Sequence, residues 1–215
     1  VPVDAERVAA CLGPVDRVKA RPPLVGAVDE AVALAARLVR ARAVLAAVRA
    51  PTACRPTAGP RAGAWSTVPW AVFFAATIGP DLEATASAEA AAGRLLRAVA
   101  IDAAGSAASL GLADAVVHRL ATGLLDGTGL GPILLAFPGD DGFPMEAQPL
   151  IIRALPAEQL EAIGLRLLTS GALSPLKSIA GVIGLSAQPG AVPSGDRSCE
   201  GCPSRERCTF RRSSV

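Results

Sequence analysis

The stretch "VPWAVFFAATIGP", Val68 to Pro80, decides how the fold is read. β-branched and aromatic residues crowd its middle, and Gly79-Pro80 stops it, so the pattern predicts a strand. Apolar residues fall on both parities, which predicts burial of both faces. The run is too short for the ~20 residues that a membrane-spanning helix needs. A strand buried on both sides requires a layer on each side of its sheet.

The flanking sequence supplies candidate layers. Residues 4–12 read as a short amphipathic helix. "AVDEAVALAARLVRARAVLAAV", residues 27–48, reads as one long helix. Val28, Val32, Leu34, Leu38, Val39 and Leu45 fall near a 3.6 period, and Asp29 and Glu30 sit in the first turn, where the helix dipole favours them. Residues 87–125 also read as helical, with Ser87 and Glu89 marking the start and Gly105-Ser106 a break. Residues 133–144, 165–175 and 177–185 read as three further strands with their turns. Residues 144–155 and 156–164 read as short helices, Pro156 suiting a first turn. No regular βαβ repeat emerges. The expected class is therefore α+β over residues 1–185, with an antiparallel or mixed sheet rather than a doubly wound parallel one. Residues 186–215 are expected to form a linker and a short cysteine-containing C-terminal tail.

Composition narrows the function classes. The chain has 215 residues, 51% hydrophobic and 19% charged, which is a folded composition rather than a disordered one. A net charge of +2 gives no electrostatic case for nucleic acid or an anionic membrane. Aromatic residues are only 3%, so no stacking platform for single strands is expected. The first residues lack a basic segment followed by an apolar one, so the expected location is the cytoplasm, where thiols and metal sites outnumber disulfides.

Candidate chemistry is sparse. His118 is the single histidine and lies in a helical, largely apolar stretch, where a structural role is expected. Asp102 and Ser106 flank the expected break at Gly105 and read as capping residues. Gly127, Gly129 and Gly131 read as a turn, because no helix start with a lysine follows as a phosphate loop requires. Adjacent Asp140 and Asp141 read as solvated acids. The tail "SCEGCPSRERCTFRR", residues 198–212, is more pointed. Cys199 and Cys202 have the spacing that lets two thiolates reach one metal, and Cys208 adds a third ligand beyond Arg205 and Arg207. Cationic neighbours favour thiolate. An iron–sulfur cluster, zinc and reduced free thiols all remain open on this spacing.

Five stretches in order carry a family resemblance: residues 69–83, 100–116, 137–148 ("FPGDDGFPMEAQ"), 162–185 and the cysteine tail. Together they resemble the activation domain of vitamin B12-dependent methionine synthase, and more closely the stand-alone bacterial proteins built from it. The resemblance spans residues 7 to 212 and implies a curved single α+β domain with a mainly antiparallel sheet flanked by helices. It implies a reactivation factor for a corrinoid methyltransferase system that supports reductive remethylation of cob(II)alamin with S-adenosylmethionine. The partner would be a corrinoid protein or B12-dependent methyltransferase, and cobalamin would enter only through that partner. The family's ligand loop, approximately R-x-S-P-G-Y, matches Leu135 to Asp140, which places Pro138, Gly139 and Asp140 at a cofactor-binding position. The second family stretch matches Leu168 to Gly181, which adds Ser170, Gly171 and Lys177. Three positions depart from the pattern: Leu135 replaces an arginine, Asp140 a tyrosine and Thr169 an acid. Leucine cannot offer a carboxylate the planar fork of arginine. The tail cysteines Cys199, Cys202 and Cys208 match the family's cysteine end, and Cys11 or Cys54 would be the source of a fourth ligand. The alternative is a non-catalytic interaction protein with the same fold, a degenerate adenosylmethionine pocket and a structural metal or Fe–S tail.

Overall fold

The computed structural model describes residues 1–49, 65, 68–140 and 143–187. Its strands are β1 (Arg42–Arg49), β2 (Trp70–Thr77), β3 (Gly131–Ala136), β4 (Arg166–Leu167), β5 (Leu173–Ser174) and β6 (Ser178–Ser186). Its helices are α1 (Ala5–Leu12), α2 (Val15–Lys19), α3 (Pro22–Leu38), α4 (Asp81–Ala91), α5 (Leu95–Arg119), α6 (Ala147–Ala154) and α7 (Ala157–Ala162). The class is α+β, as expected. The main sheet has the order β1-β2-β6-β3, and every pair in it is antiparallel. β4 and β5 form a separate small hairpin.

β2 is the two-sided strand that its sequence demands. Val72, Phe74 and Ala76 point into one apolar cluster with the helices α1 to α5. Ala71, Phe73 and Ala75 point into the other, with α6, α7 and Trp65. Each face thus takes alternate residues, as the pleat requires. β6 divides in the same way, sending Ile183 and Leu185 to the first cluster and Ala180 and Val182 to the second.

α5 is the spine of the first layer. Ala100, Ala104, Ala107, Ala108 and Gly111 are buried along it. Small residues on several faces let α1, α3, α4 and the sheet approach it together. The stretch Leu95–Leu124 is long and apolar enough to cross a membrane by composition, yet 61% of its most apolar window is buried inside the protein. Its apolarity therefore belongs to the core.

Two expectations are corrected. Residues 27–48 do not make one helix: α3 ends at Leu38, Val39 is extended, and Arg42–Arg49 pairs with β2 along its whole length. "RAVLAAVR" is apolar at nearly every position, so its period cannot separate helix from strand. Pairing with β2 decides, and the Arg40 N–H donates to the Ile78 carbonyl at 2.8 Å where the chain turns. The second correction is in 87–125. The break falls at Ala92–Arg94, with Gly93 at φ +76°, and α5 runs without interruption through Gly105. Ser87 and Glu89 lie inside α4, which begins at Asp81. The break at Gly93 is closed by the Arg94 guanidinium donating to the Glu89 carboxylate at 2.5 Å. That hydrogen bond and charge hold the Glu89 carboxyl below its ordinary range.

Candidate functional site

The β3 ladder stops at Ala136, opposite Val182, while β6 begins at Ser178. The chain therefore leaves the sheet at residue 137, beside the start of β6. Phe137 stays against the first cluster, its ring edge-to-face with Phe74 at a centroid distance of 6.2 Å. Such pairs prefer this geometry because a positive ring edge meets a negative face. Pro138, Gly139 and Asp140 form a tight turn. The Asp140 carboxylate accepts the Phe137 N–H at 2.9 Å, and the Asp140 N–H donates to the Phe137 carbonyl at 2.9 Å. Asp140 thus staples its own loop, as short acidic side chains do in turns. It is not simply a solvated acid. The Gly139 N–H donates to the Phe143 carbonyl at 2.8 Å, and buried Phe143 ties the loop to the second cluster. Gly139 has φ +91°, and a Cβ there would lie 2.9 Å from the Met145 sulfur.

The second loop closes on itself. The Leu168 N–H donates to the Ala172 carbonyl at 2.8 Å, and the Gly171 N–H donates to the Leu168 carbonyl at 2.9 Å. Ser170 is exposed. Gly171, at φ +84°, makes a turn that an L side chain rarely adopts. The start of α6 joins the two loops: Met145 rests on Gly139, and Gln148 Nε2 donates to the Gly171 carbonyl at 2.5 Å. The structure therefore brings Gly139 and Gly171 to opposite ends of one short segment, residues 145–148. Among the sequence-predicted ligand residues, Pro138, Gly139, Asp140, Ser170 and Gly171 share this neighbourhood. Met145, Gln148 and Phe137 belong to it as well and were not singled out from sequence. Gln148 carries no local signal, because its partner lies twenty-three residues away.

The Lys177 side chain turns to α5. Its ammonium lies 2.8 Å from Asp102 Oδ1 and donates to Ser106 Oγ at 2.9 Å, both on α5. Its stem crosses α5 at Gly105, where a Cβ would meet Lys177 Cγ at 3.2 Å. Asp102, Gly105 and Ser106 are three and four residues apart, so they share one helix face. This corrects the reading of Asp102 and Ser106 as caps of a broken helix: they clamp the start of β6. Neighbouring contacts finish the job. The Leu176 N–H donates to Glu83 Oε2 at 2.8 Å, and Ser178 Oγ lies 2.9 Å from Thr77 Oγ1 and 2.6 Å from the Pro175 carbonyl. Thr77 is fully buried.

Leu135 is buried in the first cluster on the β3 strand, 3% exposed. The position that the family gives to arginine is thus built into the core here. Cys11 is half-buried beside this region. Burial pushes its thiol up, Lys177 draws it down and Asp102 raises it again. Among the described residues no group of three or more His, Cys, Asp or Glu could hold a metal ion. Cys54, Cys199, Cys202, Cys208 and Asp141 lie outside the described residues. His118 is exposed near the end of α5, where its carbonyl accepts the Thr122 hydroxyl at 2.9 Å. Gly127 and Gly129 have φ of +73° and +70°, which fits the expected turn. An open groove of about 560 Å³ between α3 and the start of α5, lined by Ala27, Glu30, Arg94 and Leu96, contains none of these loop residues.

These observations define an α+β domain with an antiparallel sheet covered on both faces and two turns joined at one end. The fold is shared with a solved structure, the MetH reactivation domain bound to AdoHcy. The superposition has a TM-score of 0.57, at 14% identity, over 81% of this chain and 67% of that one. No family model matches the sequence, and no curated protein matches it.

Adenosylmethionine fits these residues only in part. The Phe137 ring, the Met145 thioether and the backbone of the two turns offer apolar and hydrogen-bonding surface. Leu135 is buried, and the Lys177 ammonium is taken by Asp102. Neither supplies a cation for the amino-acid carboxylate of such a ligand.

Proposed function

We propose that this chain is a reactivation factor for a corrinoid methyltransferase system. The observation that carries this reading is the shared fold with the AdoHcy-bound reactivation domain, together with two turns that Met145 and Gln148 join in this chain. The partner would be a corrinoid protein, and cobalamin would belong to it. Adenosylmethionine, when bound, would supply the methyl group. The chain's own residues would hold the ligand in place. Phe137 offers a ring face, Met145 and the Gly139 turn offer apolar contact, and Ser170 and the turn backbone offer hydrogen bonds. Asp140 would keep its loop closed.

The tail cysteines Cys199, Cys202 and Cys208 would carry an Fe–S cluster or zinc, and half-buried Cys11 is poorly suited to be the fourth ligand because burial disfavours its thiolate. Anaerobic purification tests this directly. A brown protein whose visible absorbance bleaches on reduction supports a cluster, and stoichiometric zinc supports a structural metal.

The burial of Leu135 and the Asp102–Lys177 pair favour a second reading: a non-catalytic interaction protein on the same fold. Calorimetric titration with AdoHcy separates the two. Saturable one-to-one binding, weakened at least tenfold by Gly171→Val, supports a working ligand site. No heat at millimolar AdoHcy removes the ligand from the account and leaves the interaction protein.

A further inference from the structure

The two edges of the main sheet are treated differently. β3, at one edge, is short, contains Pro132, and shifts register between Pro132 and Leu134. Proline and bulges are the usual means of stopping an edge from recruiting another strand. β1, at the other edge, has eight residues, neither proline nor glycine, and an unbroken register against β2. Alternate residues along it turn their N–H and C=O groups away from β2. Among the described residues no strand pairs with that outer side.

Charge is distributed just as unevenly. From residue 31 to residue 80 the chain has six arginines and no Asp or Glu. Four of them, Arg37, Arg40, Arg42 and Arg49, are described, and all four are exposed. None belongs to an ion pair among the described residues. Arg40 donates to the carbonyls of Arg37 and Val39, Arg42 makes a long 3.4 Å contact with the Ala162 carbonyl, and Arg49 lies 5.9 Å over the Trp70 ring. Arg42 and Arg49 stand at the two ends of the open strand.

We propose that the outer edge of β1 is a docking site for an extended acidic segment of a partner protein, which adds as a fifth strand of the sheet. Backbone hydrogen bonds would give affinity, and carboxylates at the two ends of the segment would meet Arg42 and Arg49. These arginines are seven residues apart, so they lean to opposite faces of the sheet. The carboxylates must do the same. A second copy of this chain is disfavoured, because antiparallel pairing of two β1 strands sets Arg42 against the other copy's Arg49 at both ends.

The test uses the full chain and a fluorescein-labelled decapeptide, Glu-Glu-Thr-Val-Thr-Val-Thr-Val-Glu-Glu, followed by anisotropy at 50 mM NaCl. The expected result is saturable binding that weakens at least tenfold at 500 mM NaCl, and at least tenfold when lysines replace the glutamates. Two further peptides carry N-methyl groups on one or the other set of alternate amides. Strand addition predicts that one loses at least tenfold in affinity while the other binds within threefold of the parent. Arg42→Glu should weaken binding at least fivefold while the far-ultraviolet circular dichroism stays unchanged. No binding of the parent peptide overturns the proposal. So does equal binding of both methylated peptides, which reports charge attraction without strand pairing. A stable dimer of the chain alone in sedimentation overturns the choice of occupant.

Discussion

Gly181→Ala is the sharpest test of how the fold builds the candidate site. Gly181 pairs with Phe74 across the two central strands. A Cβ at this position would lie 2.8 Å from two atoms of the Phe74 ring and 2.9 Å from the Ala136 carbonyl oxygen. The ring is fully buried and meets Phe137 edge-on, so it has nowhere to retreat without disturbing that pair. The carbonyl belongs to the last residue of β3 and can move only with its strand. Overpacking of this kind costs about 2–3 kcal/mol. For a chain of this size each kcal/mol lowers Tm by about 2–4 °C, so the expected fall is roughly 4–12 °C. Urea denaturation followed by circular dichroism gives the free energy. Hydrogen exchange gives a second readout, because displacing Phe74 should speed exchange at the Phe137 and Asp140 amides more than at α3. A loss within 0.5 kcal/mol would refute the close approach of Phe74 and β3 over Gly181.

Other outcomes follow from the same contacts. Asp102→Ala should cost about 1–2 kcal/mol, since it strands a largely buried ammonium while Asp102 itself is half exposed. In a double-mutant cycle with Lys177→Met, a coupling energy near zero would contradict the clamp. Glu89 is held below the ordinary value of 4.5 by the Arg94 hydrogen bond, so its contribution is fully present above that value and is lost as pH falls through the lowered one. The stability gap between wild type and Glu89→Gln should therefore hold near pH 7 and shrink as pH falls below 4.5, as urea midpoints across pH would show. Burial raises the Cys11 thiol, so peptide mapping should find it labelled by maleimide at least tenfold more slowly at pH 7 than a free thiol. Lys177→Met should slow it further, and labelling as fast as free glutathione would contradict the packing of α1.

Much of the architecture was legible where the apolar pattern was unambiguous. "VPWAVFFAATIG" announced a two-sided strand, and that alone required helices on both faces. "KSIAGVIGL" and the helices flanking Pro156 carried equally local signals. β1 was hidden because "RAVLAAVR" is apolar at nearly every position and only its pairing with β2 fixes its state. The break near Gly105 was misplaced because a helical glycine has two uses. Here it receives the Lys177 stem, a contact from seventy-two residues away. The candidate loops were visible in "FPGDDGFP" and "TSGALSP" through their turn residues. Their joining through Met145 and Gln148 was not, since it depends on how α6 docks. Asp140 looked like a lost ligand contact in sequence, and its role as a loop staple needed the Phe137 N–H in view. Lys177 is placed at the ligand by its motif alone, and the fold adds what no motif shows: its ammonium contacts Asp102 and Ser106 on α5.

Remethylation tests the reactivation role most directly. A corrinoid protein held as cob(II)alamin, with a reductant and adenosylmethionine, is followed through its visible spectrum with and without this chain. Methylcobalamin should accumulate at least tenfold faster with the chain present. Equal rates with and without it, for a corrinoid protein that binds the chain, would contradict the reactivation role and leave the interaction protein.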